Sequence, residues 1–230
     1  MRRAVILASA TGCPLYIVHI TISKGVEIIR EAQERGLPVI GETCPQYLTL
    51  DRNYDRVLGK VNPPLREAAD GERLWEGLRE GVLSTLGSDH APTSRRHKQE
   101  FWKAIVGMPG IETLLPVVLS EGVNRGRLSL EKVVEVCCYW PARIFSLYPR
   151  KGLIEVGADA DLVVLDLEKE VKVHADLLHQ GSDFSPYEGR MIKGWPVLTL
   201  LRGEVVMENG EVCGEAGFGK FIPRPVPSPS

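Results

Sequence analysis

The sequence predicts an α/β chain in which a parallel sheet with helical crossovers precedes a small antiparallel β region. Three observations carry this reading. Up to about residue 90, apolar runs of strand length alternate with segments of helical periodicity, the β-α-β-α-β order that a parallel sheet requires. After Gly152 the texture changes to alternating strands and a hairpin signal. Two of the early apolar runs end in chemically capable side chains, one an imidazole and the other a carboxylate, and α/β folds place their chemistry at the C-terminal ends of strands.

Met1 to Ala10 reads as the tail of an amphipathic helix rather than a secretory leader. Its apolar stretch is short and interrupted, and Gly12-Cys13-Pro14 runs straight into the next element. Residues 15–20 form the first strand, with His19 near its C-terminal end. Residues 23–35 form a helix with Ser23 as N-cap, an apolar face of Val26, Ile28, Ile29 and Ala32, and Gly36 as its stop. Residues 37–43 are the second strand, and a loop rich in proline and charge follows at 60–66. Residues 72–80 form a helix with Leu74, Trp75 and Leu78 facing inward. The run from Gly81 to Leu86 is then a short buried strand that delivers Gly87-Ser88-Asp89-His90-Ala91-Pro92.

Residues 92–109 form a long polar loop carrying Arg95, Arg96, His97 and Lys98. Its length points to function, while its charges equally fit a solvated surface. Helices follow at 111–119 and from 128 to 136, the latter with Ser129 as N-cap, and Pro141 starts a further turn through Phe145. Beyond Gly152, strands are expected at 161–166, 170–174, 197–203 and 204–208, with Asn209-Gly210 turning the chain into 211–213. The proline-rich end from Pro223 to Ser230 reads as a peripheral or disordered arm. Trp75, Trp102, Trp140 and Trp195 are expected to serve packing.

At 230 residues the chain has room for one large domain or somewhat more. Its 43% hydrophobic and 25% charged residues are ordinary for a globular protein. A net charge of −2 gives no electrostatic reason to expect nucleic acid or an anionic membrane as partner. No apolar run has the length of a bilayer span. The 5 cysteines are odd in number, scattered, and include no C-x-x-C pair, which points to free thiols and a reducing cytoplasm. Cys44 lies near the candidate site without an activating base in sequence.

His19 and Asp89, on what are expected to be neighbouring strands, suit a metal-activated water. Taken singly, each also has a plainer reading: His19 as a buried, hydrogen-bonded imidazole, and Asp89 as a helix cap or loop acid. Glu42 fits a buried charge paired with an upstream residue, and His90 fits a support for its neighbours. His97, His174 and His179 read as surface or structural.

A set of motifs then stands in order: Val18-His19-Ile20, Gly41-Glu42-Thr43-Cys44-Pro45-Gln46-Tyr47-Leu48, Asn62-Pro63-Pro64-Leu65-Arg66, Gly87-Ser88-Asp89-His90-Ala91-Pro92 and Met108-Pro109-Gly110-Ile111-Glu112-Thr113. Lys151-Gly152, Gly157-Ala158-Asp159-Ala160-Asp161-Leu162-Val163, Ser185-Pro186-Tyr187-Glu188-Gly189 and Leu201-Arg202-Gly203 follow. Together they resemble the C-terminal portion of the dihydropyrimidinase and D-hydantoinase family of cyclic amidohydrolases, over all but the last few residues.

The resemblance implies the C-terminal part of a TIM-like amidohydrolase barrel, its last three strands and following helices, plus a segment of a small antiparallel β-sandwich. Residues 1–150 would be partial barrel, 151–215 part of the sandwich, and 216–230 a peripheral or disordered tail. It also implies two divalent ions, usually zinc, held by a His-x-His pair, a carboxylated lysine, two further histidines and an aspartate. His19 matches the last of those histidines. Asp89 matches the aspartate, which binds a metal and shuttles a proton as the catalytic acid and base. Asn62 matches a position whose backbone holds the substrate ring, and Gly110 falls near a second substrate contact. The chain has no His-x-His and no segment matching the lysine, so the zinc site is expected to be incomplete.

Three strands cannot close a barrel of eight. A partial gene product is therefore expected, with a misassigned start or a second chain supplying the rest as alternatives. The reaction implied is metal-dependent ring opening of dihydropyrimidines or hydantoins to N-carbamoyl amino acids, by a cytoplasmic homo-oligomer that is a tetramer in the family. The alternatives are an allantoinase-like or dihydroorotase-like hydrolase, or a non-catalytic scaffold relative. Retention of both His19 and Asp89 speaks against the scaffold.

Overall fold

Crossing helices need a hydrophobic stripe toward a sheet, and the first half of the chain supplies two of them. The computed structural model describes residues 1–223. Helix α1 (Arg2–Thr11) ends at Gly12, whose φ of +69° is the left-handed conformation that glycine adopts without cost. Strand β1 (Leu15–Ile17), helix α2 (Ser23–Glu34), strand β2 (Val39–Thr43), short helix α3 (Pro45–Thr49), helix α4 (Ala68–Arg79) and strand β3 (Thr85–Leu86) follow. The three strands form a parallel sheet in the order β1-β2-β3, with Tyr16 opposite Ile40 and Thr43 opposite Leu86.

Val26, Ile29 and Ala32 of α2 and Leu74, Trp75 and Leu78 of α4 are buried together with Leu83. Two glycines permit this close fit. A Cβ on Gly41 would lie 2.6 Å from Ile29 Cδ1 and 2.8 Å from Leu83 Cδ2, and one on Gly77 would lie 3.0 Å from Val26 Cγ1. The helix α2 cap differs from expectation. Ser23 is the first helical residue rather than the cap, and the Asp70 carboxylate of α4 accepts both its N–H and its hydroxyl at 2.7 Å. A carboxylate from a neighbouring helix thus satisfies a free donor at the N-terminus of α2.

Beyond β3 the loop of residues 92–109 has one short 3-10 turn, Arg95–His97. Its charges are not all solvated. Lys98 is buried, and its ammonium donates to the carbonyls of Leu58 at 3.0 Å and Lys60 at 3.1 Å. Burial, reinforced by the Lys60 charge, lowers its pKa to about 8. Helix α5 (Leu114–Val118) runs on into a π-helical turn at Leu119–Val123. Helix α6 (Leu130–Val134), capped by the Ser129 hydroxyl as expected, continues through a π-helical turn at Glu135–Tyr139 into α7 (Trp140–Ile144). The Tyr16 ring of β1 meets Phe145 just after α7, with centroids 5.4 Å apart.

The last third is an antiparallel sheet in the order β4 (Leu162–Lys172), β5 (Met191–Leu201), β6 (Glu204–Glu208) and β7 (Glu211–Val212). The two strands expected at 161–166 and 170–174 are one strand with irregular register against β5. Asn209 and Gly210, at φ of +50° and +93°, make the hairpin that their sequence signals. The sheet docks on the helical half at Gly194, where an added Cβ would lie 3.1 Å from Leu119 Cβ. Trp75 is buried as expected, whereas Trp102 is 83% exposed and does not serve core packing, and Trp140, 40% exposed, packs edge-on against Tyr139 outside the buried core. Of the expected tail, residues 216–223 carry no strand or helix, and 224–230 lie outside the described residues. Among the described residues no helix is long and apolar enough to cross a membrane.

Leu83 is fully buried between β2 and the crossover helices. Leu83→Ala should cost about 2–5 kcal/mol, read as a lower urea midpoint at unchanged slope.

Candidate active site

The site grows from the C-terminal ends of the parallel strands. Each flanking strand stops early, and the chain after it turns through a residue with positive φ: His19 at +41° and Asp89 at +47°. Histidine and aspartate occur in this region more readily than most residues, yet the conformation costs on the order of 1 kcal/mol and needs the surroundings to hold it. Those surroundings come from β2, which lies between the two turns. The strands of His19 and Asp89 are therefore one strand apart, and not neighbours as the sequence suggested. Ile20 N–H donates to Glu42 O at 2.8 Å, and Thr43 Oγ1 donates to Ile20 O at 2.8 Å. On the other edge Gly87 N–H donates to Thr43 O at 3.0 Å.

Asp89 stands open to solvent on one side, yet its carboxyl is raised above the ordinary aspartate range. Partial burial is the main cause, and the His19 imidazole and the Tyr47 hydroxyl partly offset it. The His19 and Asp89 turns leave the same end of the parallel sheet. Tyr47 reaches it from α3, where its ring is buried and its hydroxyl donates to Pro63 O at 2.9 Å. That bond ties the Asn62-Pro63 turn to the Asp89 side of the sheet. Asn62 is exposed and has no hydrogen bond among the described residues.

Gly110 is bound differently. Its N–H donates to His90 Nδ1 at 3.1 Å, Ile111 N–H reaches the same nitrogen at 3.3 Å, and Gly110 O accepts from Thr113 Oγ1 at 3.3 Å. An Nδ1 that accepts two amides carries no proton, so His90 has its proton on Nε2. The ring clamps the 110–111 turn beside Ser88, whose carbonyl a Cβ on Gly110 would approach to 3.4 Å. His90 thereby holds the Gly110-Ile111 turn in place. A substrate contact at Gly110 is left only the second lone pair of its carbonyl.

Cys44 is fully buried, and its thiol is raised by burial and by the nearby Glu42 and Asp89 charges, which keeps it protonated. His174 and His179 pair with Glu188 and Glu112 away from this locality. The sequence reading missed Tyr47, although it stands inside one of the motifs. Its signal was a lone phenol three residues beyond Cys44, indistinguishable in sequence from core.

An imidazole and a carboxylate are suitable donors for a divalent cation. Among the described residues, however, no group of three or more His, Cys, Asp or Glu side chains converges as an ion would need. The pair fits as part of a metal site and not as the whole of one.

Residues 12–206 match the amidohydrolase family model, and the chain belongs to that family. Within it, the similar relatives are hydantoinases. The chain is 45% identical to the L-hydantoinase of Paenarthrobacter aurescens, covering 97% of this chain and 50% of that protein. It is 41% identical to the D-hydantoinase of Geobacillus stearothermophilus, covering 96% and 50%. Among solved structures, the L-hydantoinase (dihydropyrimidinase) from Arthrobacter aurescens aligns with a TM-score of 0.93 at 45% identity, covering 97% of this chain and 51% of that one. The dihydropyrimidinase from Brevibacillus agri aligns with a TM-score of 0.92 at 36% identity, covering 96% and 50%. The chain spans about half the length of the curated relatives it matches.

A raised carboxyl binds its proton more readily in the folded state than in the unfolded chain. Its contribution to stability is therefore present at low pH and is lost as pH rises from the ordinary aspartate range through the raised value. In the presence of a chelator, Asp89→Asn should melt above the parent at pH 7, with the gap shrinking as pH falls below the ordinary carboxylate range. Asparagine tolerates the same positive φ, so no backbone penalty enters. Equal or lower melting at pH 7, followed by circular dichroism, contradicts this expectation.

Proposed function

We propose that this chain is the C-terminal half of a hydantoinase-type hydrolase that opens cyclic ureides, hydantoins or dihydropyrimidines, to N-carbamoyl amino acids. In this reading residues 1–150 are the closing part of a barrel and residues 151–215 part of a β-sandwich. One observation carries the reading: His19 and Asp89 leave the ends of two strands of one parallel sheet, both in left-handed turns that the strand between them bonds. Membership of the amidohydrolase family and the hydantoinase relatives support it. The chain's own donors suit zinc or a similar divalent ion, and further ligands must come from residues outside this chain's sequence. When bound, such an ion supplies an activated water and polarises the scissile carbonyl.

The protein's part is proton management and orientation. Asp89, its carboxyl raised above the ordinary aspartate range by partial burial, takes the proton of the attacking water and returns it to the departing ring nitrogen, first as general base and then as general acid. The ring nitrogen, already N–H, must gain that proton to leave as NH2, and a carboxyl within reach of both atoms serves both transfers. Asn62 offers an unengaged backbone N–H and C=O to the imide edge, which presents one acceptor and one donor. Tyr47 holds that turn in place through Pro63. The same resemblance implies assembly as a homotetramer in the cytoplasm.

A chimera tests this. Residues 1–230 replace the corresponding half of the Paenarthrobacter aurescens L-hydantoinase, and ring opening of hydantoin and dihydrouracil is followed with zinc present. The chimera should turn over, and His19→Ala or Asp89→Asn should lower kcat by roughly 10²–10⁴-fold. A folded, metal-loaded chimera without turnover would sink the assignment. The 230-residue chain alone, given zinc, should bind it weakly and leave both rings closed; clear turnover overturns the two-half reading.

A further inference from the structure

We propose that Glu42 is a positioning residue that holds both ligand-bearing turns from the strand between them, fixing His19 in its left-handed conformation before any metal arrives. The proposal rests on the hydantoinase reading for its functional meaning, and on geometry alone for its content. Glu42 is half-buried near the end of β2. Its carboxylate Oε1 accepts the His19 N–H at 3.2 Å, while its own backbone carbonyl accepts the next amide, Ile20 N–H, at 2.8 Å. Two successive amides flanking a left-handed residue form a concavity that selects an anion, and here one residue of the adjacent strand fills both positions. The second carboxylate oxygen accepts the Tyr16 hydroxyl at 2.8 Å, and that hydroxyl lies 2.7 Å from Thr85 Oγ1 on β3. The bonds therefore run from β1 through β2 to β3.

Glu42 also touches the other turn. A Cβ on Gly87 would lie 2.7 Å from Glu42 Cδ and 2.8 and 2.9 Å from its two oxygens. The carboxylate rests on the bare backbone of the residue two before Asp89, and only glycine leaves that space. One carboxylate thus braces the amide of His19 on one side and the approach to Asp89 on the other. A core acid with no such role would need only to satisfy its own charge. Glu42 instead spends one oxygen on a strained backbone.

The test reads His19 directly. In the full 230-residue chain, labelled with ¹⁵N and ¹³C and held in chelator, Glu42→Ala should shift the His19 amide proton upfield and move its Cα and Cβ resonances away from left-handed values. Glu42→Gln should restore them. Its carbonyl can accept the His19 N–H, and its amide can donate to the Tyr16 hydroxyl, which passes its own proton to Thr85. In the chimera, Glu42→Ala should weaken zinc affinity by about 10–100-fold and Glu42→Gln by no more than a few-fold. A lowered melting temperature with His19 resonances unmoved overturns the proposal, since that is all a merely structural acid would show. Should Glu42→Ala fail to fold, Gly87→Ala serves: its Cβ displaces the carboxylate from the opposite side, and an unmoved His19 amide again overturns the brace. A chimera that does not turn over while Glu42→Ala still moves His19 removes the hydantoinase reading and leaves the brace standing.

Discussion

Strand β2 is the constraint on which the rest depends. It is hydrogen-bonded on both edges, to β1 and to β3, and its last three residues also bond backbone just outside those flanking strands. Gly41 O receives Ser84 N–H, Glu42 O receives Ile20 N–H, and Thr43 O receives Gly87 N–H. A buried backbone polar group left without a partner is costly, so these bonds hold the turn at 18–20 and fix Ser84 and Gly87 on either side of β3. The core works to the same end. Gly41 lets α2 lie close against β2, and Leu83, wedged beside Gly41 and Gly77, sets where β3 begins. The position of two polar side chains at the sheet mouth thus follows from apolar contacts on its far side.

The parallel sheet was legible because its elements are written in local pattern. Apolar runs at 15–20 and 37–43, the periodic face of Val26, Ile29 and Ala32, and the inward Leu74, Trp75 and Leu78 all respond to periodicity alone. His19 and Asp89 were legible for the same reason, as polar residues at the ends of apolar runs. Strand lengths were not, because a run of six apolar residues can be three residues of ladder followed by a buried turn, as at Ile20. What depends on distant partners was invisible. The cap of α2 comes from Asp70, 47 residues away. Lys98 looked like a solvated charge because its carbonyl partners lie some 40 residues earlier. Trp102 looked like core because size alone suggests burial.

Glu42 shows the limit most clearly. In sequence it is one polar residue in an alternating strand, and alternation assigns it only a face. Its importance arises from Gly87, Tyr16 and the His19 amide, which come from three separate segments. The same holds for Tyr47, whose hydroxyl reaches Pro63 O in the 62–63 turn only once α3 is folded back on the sheet. Tyr187 completes that fold-back. Fully buried, it lies beneath α3 and receives the Thr49 hydroxyl at 3.3 Å, which gives the Ser185-Pro186-Tyr187-Glu188-Gly189 motif a physical role in the core rather than at the site.

The irregular loops around the site hold a fixed path without secondary structure because ammonium groups replace the missing ladder. Lys60 Nζ donates to Phe101 O and Ala104 O at 2.8 Å, and Lys98 Nζ donates back to Leu58 O and Lys60 O. Lys60 O also accepts Gly107 N–H at 3.0 Å. Carbonyls that would be orphaned in an irregular segment are thereby satisfied by two side chains whose charge the carbonyl dipoles stabilise. Lys98 loses part of that advantage to burial, which is why its pKa falls to about 8. A neutral amine still donates two hydrogen bonds, so the staple outlasts the charge. The consequence reaches the site. Lys60 precedes Asn62 by two residues, and Gly107 precedes Gly110 by three, so the two turns are cross-linked at their bases.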